Sequence, residues 1–159
     1  MKTIEKEGLL DTIELLGSIS PEQISVYYRL SDIFVFSSKS ETQGMVILEA
    51  MAGECPVVAI RSSGIDDVIL NEYNGYKTRS DILSWSQKII LLMNNPLKLK
   101  EMSLNAHAFS QKYSLESMAT MTIDVYYQVL KHYKFKTTTL KSQLISNKSS
   151  NQKRGVTHE

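Results

Sequence analysis

Apolar residues in this chain come in two patterns, short unbroken runs and longer stretches at helical spacing, and the two alternate. Ile33, Phe34, Val35 and Phe36 form one run, and Pro56, Val57, Val58, Ala59 and Ile60 form another. Runs this short, rich in β-branched and aromatic residues, predict strands buried on both faces. Thr12, Ile13, Glu14, Leu15 and Leu16 predict a further short strand closed by Gly17, and Tyr76, Lys77 and Thr78 an edge strand after Asn74-Gly75. Between them the helical pattern takes over. Residues 1–8 read as the end of a helix stopped at Gly8. Ser20, Pro21 and Gln23 form a helix start, with Ser20 as N-cap and Gln23 completing a capping box. Ile24, Tyr27, Tyr28 and Leu30 give that helix its apolar face. Residues 44–52 predict a helix ended by Gly53, and residues 65–72 a short one ended near Asn74-Gly75. Two longer helices flank the Asn95-Pro96 break, and Ser114 caps a last one reaching Tyr133. Strand, helix and strand in this rhythm predict an α/β fold, a partial Rossmann-like parallel sheet with flanking helices.

Length and composition narrow the picture. At 159 residues, one domain with a sizeable core fits and a second does not. The domain is expected over residues 1–133. Residues 134–159, rich in Lys, Thr, Ser and Asn, are expected to be a polar, disordered tail, with attraction to anionic lipid as the sharper alternative to a merely solvated segment. A net charge of +1 speaks against a nucleic-acid binder. The N-terminus has no apolar core of a signal peptide, and no run approaches the ~20 residues that span a bilayer. Cys55, without a second cysteine, points to no oxidising compartment. The cytoplasm is the expected location, with any membrane contact peripheral at its inner face.

The chemistry-bearing stretch leaves the strand at Phe36 and enters the helix at residue 44. In an open parallel sheet, ligands bind beyond the carboxyl ends of the strands. Glu41 falls in that loop and Glu49 in the helix that follows. A carboxylate accepts hydrogen bonds from a vicinal hydroxyl pair, as in a sugar or ribose. The unpaired backbone amides where the helix begins, at Gln43, Gly44, Met45 and Val46, suit a diphosphate, and Gly44 lets a ligand approach the backbone. Both carboxylates are expected on one crevice. Cys55 reads as a buried filler, His107 and His132 as surface residues, and Trp85, Ile89, Leu92 and Met93 as core. Tyr126 and Tyr127 read as packing residues.

Glu41 and Glu49 at this spacing resemble the Glu-x7-Glu motif of the retaining glycosyltransferases of the two-Rossmann-domain, or GT-B, type (glycosyl transferases group 1, family-4-like). Ser31 to Ser38, Pro56 to Ala59, Ser63-Gly64-Ile65-Asp66-Asp67-Val68-Ile69, Asn74-Gly75-Tyr76 and Leu16-Gly17 extend the likeness, so that residues 12–133 resemble the family's C-terminal, donor-binding domain. The resemblance implies that Glu41 contacts donor-sugar hydroxyls and carries the catalytic role, that Gln43 to Val46 contact sugar or phosphate through their amides, and that Glu49 holds the ribose. It implies transfer of a hexose from a nucleotide diphosphate sugar to a lipid or polysaccharide hydroxyl, with no cofactor and no metal.

The sequence departs from the family at Ser63, where a glycine is usual, at Asp67 for a Glu, and at Glu54 for a glycine; Gly53 is expected to take that left-handed turn instead. The family's domain opens with a strand, helix and strand that supply an Arg and a Lys for the diphosphate. Eleven residues before Thr12 leave no room for them. The acceptor-binding domain is expected to be missing as well. The expectation is therefore a truncated domain, inactive in transfer alone, whose open sheet edge wants a partner chain or a second copy. A non-catalytic nucleotide-sugar-binding or interaction module, and an epimerase of the related fold, are the alternatives.

Overall fold

In the computed structural model, which describes residues 2–133, the helix Lys2–Lys6 (α1) is followed by Pro21–Leu30 (α2), Phe34–Phe36 (β1), Met45–Ala52 (α3) and Val57–Ile60 (β2). Gly75–Thr78 (β3), Ile82–Met93 (α4) and Pro96–Ser110 (α5) complete the first unit. The strands form one parallel sheet in the order β1-β2-β3, with Phe34 opposite Val57 and Val58 opposite Tyr76. Residues 2–113 lie in one compact unit, and a second begins at Ser114. The expected tail over 134–159 lies outside the described residues.

The pleat of β2 sorts the core. Val57 and Ala59 join Ile47, Ala50, Met51, Ile69 and Phe109 on one face, while Val58 joins Tyr76, Leu92 and Met102 on the other. Helices thus cover both faces of a central strand with no exposed residue. Each fully buried Ile, Leu or Met contributes about 1.5–3 kcal/mol of burial free energy. The indole N–H of Trp85 donates to the Val58 carbonyl at 3.1 Å, fixing α4 on that second face. Trp85 and Ile89 are partly buried and Leu92 fully buried as expected, but Met93 is exposed. It sits at the last position of α4, on the open groove beside β1.

Helix boundaries follow local chemistry. The Ser20 hydroxyl accepts from the Gln23 amide with Pro21 at the first helical position, Asp81 accepts from Ser84, and Asn95 from Lys98. Gly8 has φ of 68° just past α1. Of the face expected on α2, Tyr28 is buried and Ile24 packs against the core, whereas Tyr27 and Leu30 are exposed.

Three elements differ from expectation. Residues 12–16 form no strand, and Ile13, Leu15 and Leu16 are exposed. A strand is stable only when a neighbour takes its backbone groups, and no described strand lies beside this segment. β1 is half-exposed rather than buried on both faces, because it forms one edge of the sheet. Residues 65–72 do not form a helix; a single 3-10 turn, Ser63–Ile65, leads into turns. Asn74 explains this. Its buried side chain accepts from the Leu70 amide at 2.8 Å and donates to the Val68 carbonyl at 3.0 Å, so side-chain bonds replace helical ones.

Cys55 is fully buried, and that burial, followed by the nearby Asp32 charge, pushes its thiol up to about 12. In the second unit Ser114 caps a helix over 115–133, accepting from Ser117 at 3.2 Å. Tyr126 and Tyr127, expected to pack, are exposed among the described residues. No helix among the described residues is long and apolar enough to cross a membrane.

Candidate functional site

The loop after β1 and the loop after β2 meet at the carboxyl end of the sheet. The Gly64 amide donates to the Glu41 carbonyl at 3.1 Å. A Cβ on Gly64 would fall on the Glu41 carbonyl and within 2.6 Å of the Thr42 carbonyl carbon, so only glycine permits this approach. The family-unusual Ser63 beside it is exposed and disturbs nothing. Gly44, with φ of 66°, turns the chain into α3, and a Cβ there would stand 3.0 Å from a Val68 methyl. Two glycines therefore set the geometry of the site.

Glu41 is half-buried, and its side chain folds back on its own loop. One oxygen, Oε1, accepts from the amides of Thr42 at 3.1 Å, Gln43 at 3.0 Å and Gly44 at 2.9 Å. The Gln43 and Gly44 amides in particular hold the carboxyl below its ordinary range. Of the four amides that the sequence assigns to a phosphate, those of Gln43 and Gly44 are thus already engaged. Among the described residues no acceptor meets the amides of Met45 and Val46, which open the first turn of α3.

Helix α3 buries Ile47, Leu48, Ala50 and Met51 and exposes Met45, Glu49 and Ala52. Glu49 therefore shares an exposed stripe with the Met45 side chain, one turn further along. It also stands beside Tyr28 of α2, whose phenol is pushed up first by burial and then by the Glu49 charge. Glu41, Gln43, Gly44, Met45 and Val46 are brought together at one loop-to-helix junction, and Glu49 lies down the helix from them.

Three features escaped the sequence reading. Tyr28 looked like a packing residue, and nothing in its position along the chain pairs it with Glu49. Ser62 has a buried hydroxyl with no partner among the described residues, at the root of the Gly64 loop. Asp66 gathers Lys77 at 3.0 Å and Arg61 at 3.2 Å, and the Lys77 hydrogen bond is the main cause of its lowered carboxyl pKa. The cations of this loop and of β3 are committed to that carboxylate. At the far end of α3, Gly53 has φ of −80° and Glu54 takes the left-handed turn at 63°, contrary to expectation. Gly53 serves packing instead, since a Cβ there would stand 2.7 Å from the Tyr28 Cβ. His107 reaches the Ala52 carbonyl at 3.0 Å, and His132 is exposed. No group of three or more His, Cys, Asp or Glu among the described residues is placed to hold a metal.

The family model described as glycosyl transferases group 1 matches residues 1–109. An uncharacterized glycosyltransferase of Methanocaldococcus jannaschii is 34% identical over 74% of this chain and 34% of its own length. The alpha-galactosylglucosyldiacylglycerol synthase of Streptococcus pneumoniae is 31% identical over 69% of this chain and 29% of its own. The HepE protein of Anabaena, solved in complex with UDP, superposes with a TM-score of 0.72 at 22% identity, over 80% of this chain and 35% of its own. The chain spans about a third of the length of the curated relatives it matches. The chain belongs to the group 1 glycosyl transferases, and its parallel sheet with flanking helices is part of the C-terminal domain of their GT-B fold.

Proposed function

We propose that this chain supplies the donor half of a hexosyltransferase that binds a nucleotide diphosphate sugar and passes the sugar, with retention, to a lipid or polysaccharide hydroxyl. The carrying observation is the junction at α3, where the Glu41 carboxylate and the open amides of Met45 and Val46 meet at the head of the helix, with Glu49 exposed one turn further along it. That order matches sugar, diphosphate and ribose. Such transfer asks for stabilisation of the departing diphosphate more than for a protein nucleophile. The amides at the head of a helix offer that stabilisation without a metal or cofactor. The UDP bound to the Anabaena neighbour and the glycolipid product in the name of the pneumococcal relative support the donor and acceptor classes. Because the relatives are more than twice as long, the chain alone is read as binding donor and needing further polypeptide to place the acceptor.

Calorimetric titration with UDP-, GDP- and ADP-sugars tests the donor reading. Binding of one class is expected, weakened about tenfold or more by Glu49→Ala, since a hydrogen bond to a charged group contributes about 1.5–3 kcal/mol. Equal affinity of wild type and Glu49→Ala for every donor would end the assignment of Glu49 to the ribose. Transfer of radiolabelled sugar by the chain alone would refute the need for a second part.

A further inference from the structure

Glu41 has two carboxylate oxygens with different surroundings. Oε1 receives three consecutive amides, those of Thr42, Gln43 and Gly44, and is saturated by them. Oε2 has no hydrogen-bond partner among the described residues. The main chain of the same residue is tied as well, because its carbonyl accepts from Gly64 and is covered so closely that no side chain fits there. Glu41 thus holds the loop after β1 to itself through its side chain and to the loop after β2 through its backbone.

Building on the donor-site reading above, we propose that Glu41 divides its carboxylate: Oε1 is the clamp that presets the 42–44 loop and the first turn of α3, and Oε2 alone accepts from a donor-sugar hydroxyl. In this role Glu41 is a positioning residue for the phosphate-facing amides as well as a sugar contact. The amides of Gln43 and Gly44 then act on the donor only through Glu41, which leaves those of Met45 and Val46 for direct contact with the diphosphate. An ionised carboxylate donates nothing, so Oε2 selects a ligand atom that carries a proton, a hydroxyl rather than an ether or carbonyl oxygen. A glutamine preserves an acceptor for the clamp and places an NH2 where Oε2 stood. An alanine removes both.

The test separates the two oxygens. UDP and UDP-glucose are titrated into wild type, Glu41→Gln and Glu41→Ala. Amide nitrogen-proton shifts of Thr42, Gln43 and Gly44 are recorded for each protein without ligand, with thermal unfolding as a check that each variant is folded. Glu41→Gln is expected to hold the three amide shifts and keep UDP affinity within about twofold, while losing about tenfold for UDP-glucose. Glu41→Ala is expected to move all three amides and to weaken both ligands. Unmoved amides in Glu41→Ala would overturn the clamp. Equal losses for UDP and UDP-glucose in Glu41→Gln would overturn the division of the carboxylate while leaving the donor site standing. Failure of wild type to bind either ligand would overturn the role of Oε2 together with the donor reading, with the amide shifts still deciding the clamp.

Discussion

Asn74 shows how much one residue settles. It is fully buried, and its amide oxygen and nitrogen serve the Leu70 amide and the Val68 carbonyl, with a longer contact of 3.7 Å to the Met51 sulfur. The turn it closes carries Val68, which packs against Gly44 at the head of α3. Replacing it by alanine would leave two backbone groups without partners and open a small cavity. Asn74→Ala is expected to lower stability by about 2–4 kcal/mol, read from the midpoint of a urea transition at unchanged slope. A loss below about 1 kcal/mol would show that water or a shifted turn replaces those bonds. Asn74-Gly75 was legible in the sequence as a stop before an edge strand. That its side chain is the turn's internal brace was not, because the bonds run back to Val68 and Leu70 only once the chain has curled around it.

At the scale of elements, α3 was the most legible part of the chain. Its two glycines mark its ends, and Gly44 and Gly53 are the N-cap and C-cap found. The handoff at its C-terminal end was misread, since the left-handed position falls on Glu54. A side chain in that conformation costs about 1–2 kcal/mol, which glycine avoids at the expense of extra entropy in the unfolded chain. Glu54→Gly is therefore expected to raise stability by about 1 kcal/mol and to leave donor binding unchanged, because this turn and the Glu41 loop lie at opposite ends of α3. A melting temperature lowered by the substitution would mean that the Glu54 side chain supports the turn in a way its backbone angle does not reveal. The close fit of Gly53 against Tyr28 also holds α2 beside α3, and so holds Tyr28 beside Glu49.

For the molecule as a whole, the open side of β1 is the feature with the largest consequence. Among the described residues the strand has a paired neighbour on one side only, and Val35 at its centre is exposed. Beside it lies a groove of about 520 Å³ lined by Ile33, Val35, Ile89, Met93 and Leu99 together with Ser31 and Asp32. Unpaired strand groups next to apolar surface are a template for association. The chain is expected to associate with itself as its concentration rises in sedimentation velocity, and Val35→Lys is expected to keep it monomeric with little change in UDP-sugar binding. Concentration-independent sedimentation of the wild type would remove the basis for this expectation.

The sequence by itself determined the parallel α/β class, the bounds of α3, the strands near 33–36 and 56–60, and the placement of Glu41 beyond a strand end with Glu49 inside the next helix. Those follow from hydrophobic period and from caps, which act over a few residues. Only tertiary structure decided that residues 12–16 would not form a strand, because a strand exists through a neighbour and not through its own residues. Only tertiary structure showed that Glu41 spends one oxygen on its own loop, that Gly64 seats against Glu41, and that Tyr28 stands by Glu49. The seats of Gly64 and Tyr28 depend on where two separate segments come to rest against each other, which no local pattern of residues specifies, while the Glu41 bonds depend on the backbone turn that carries the chain into α3.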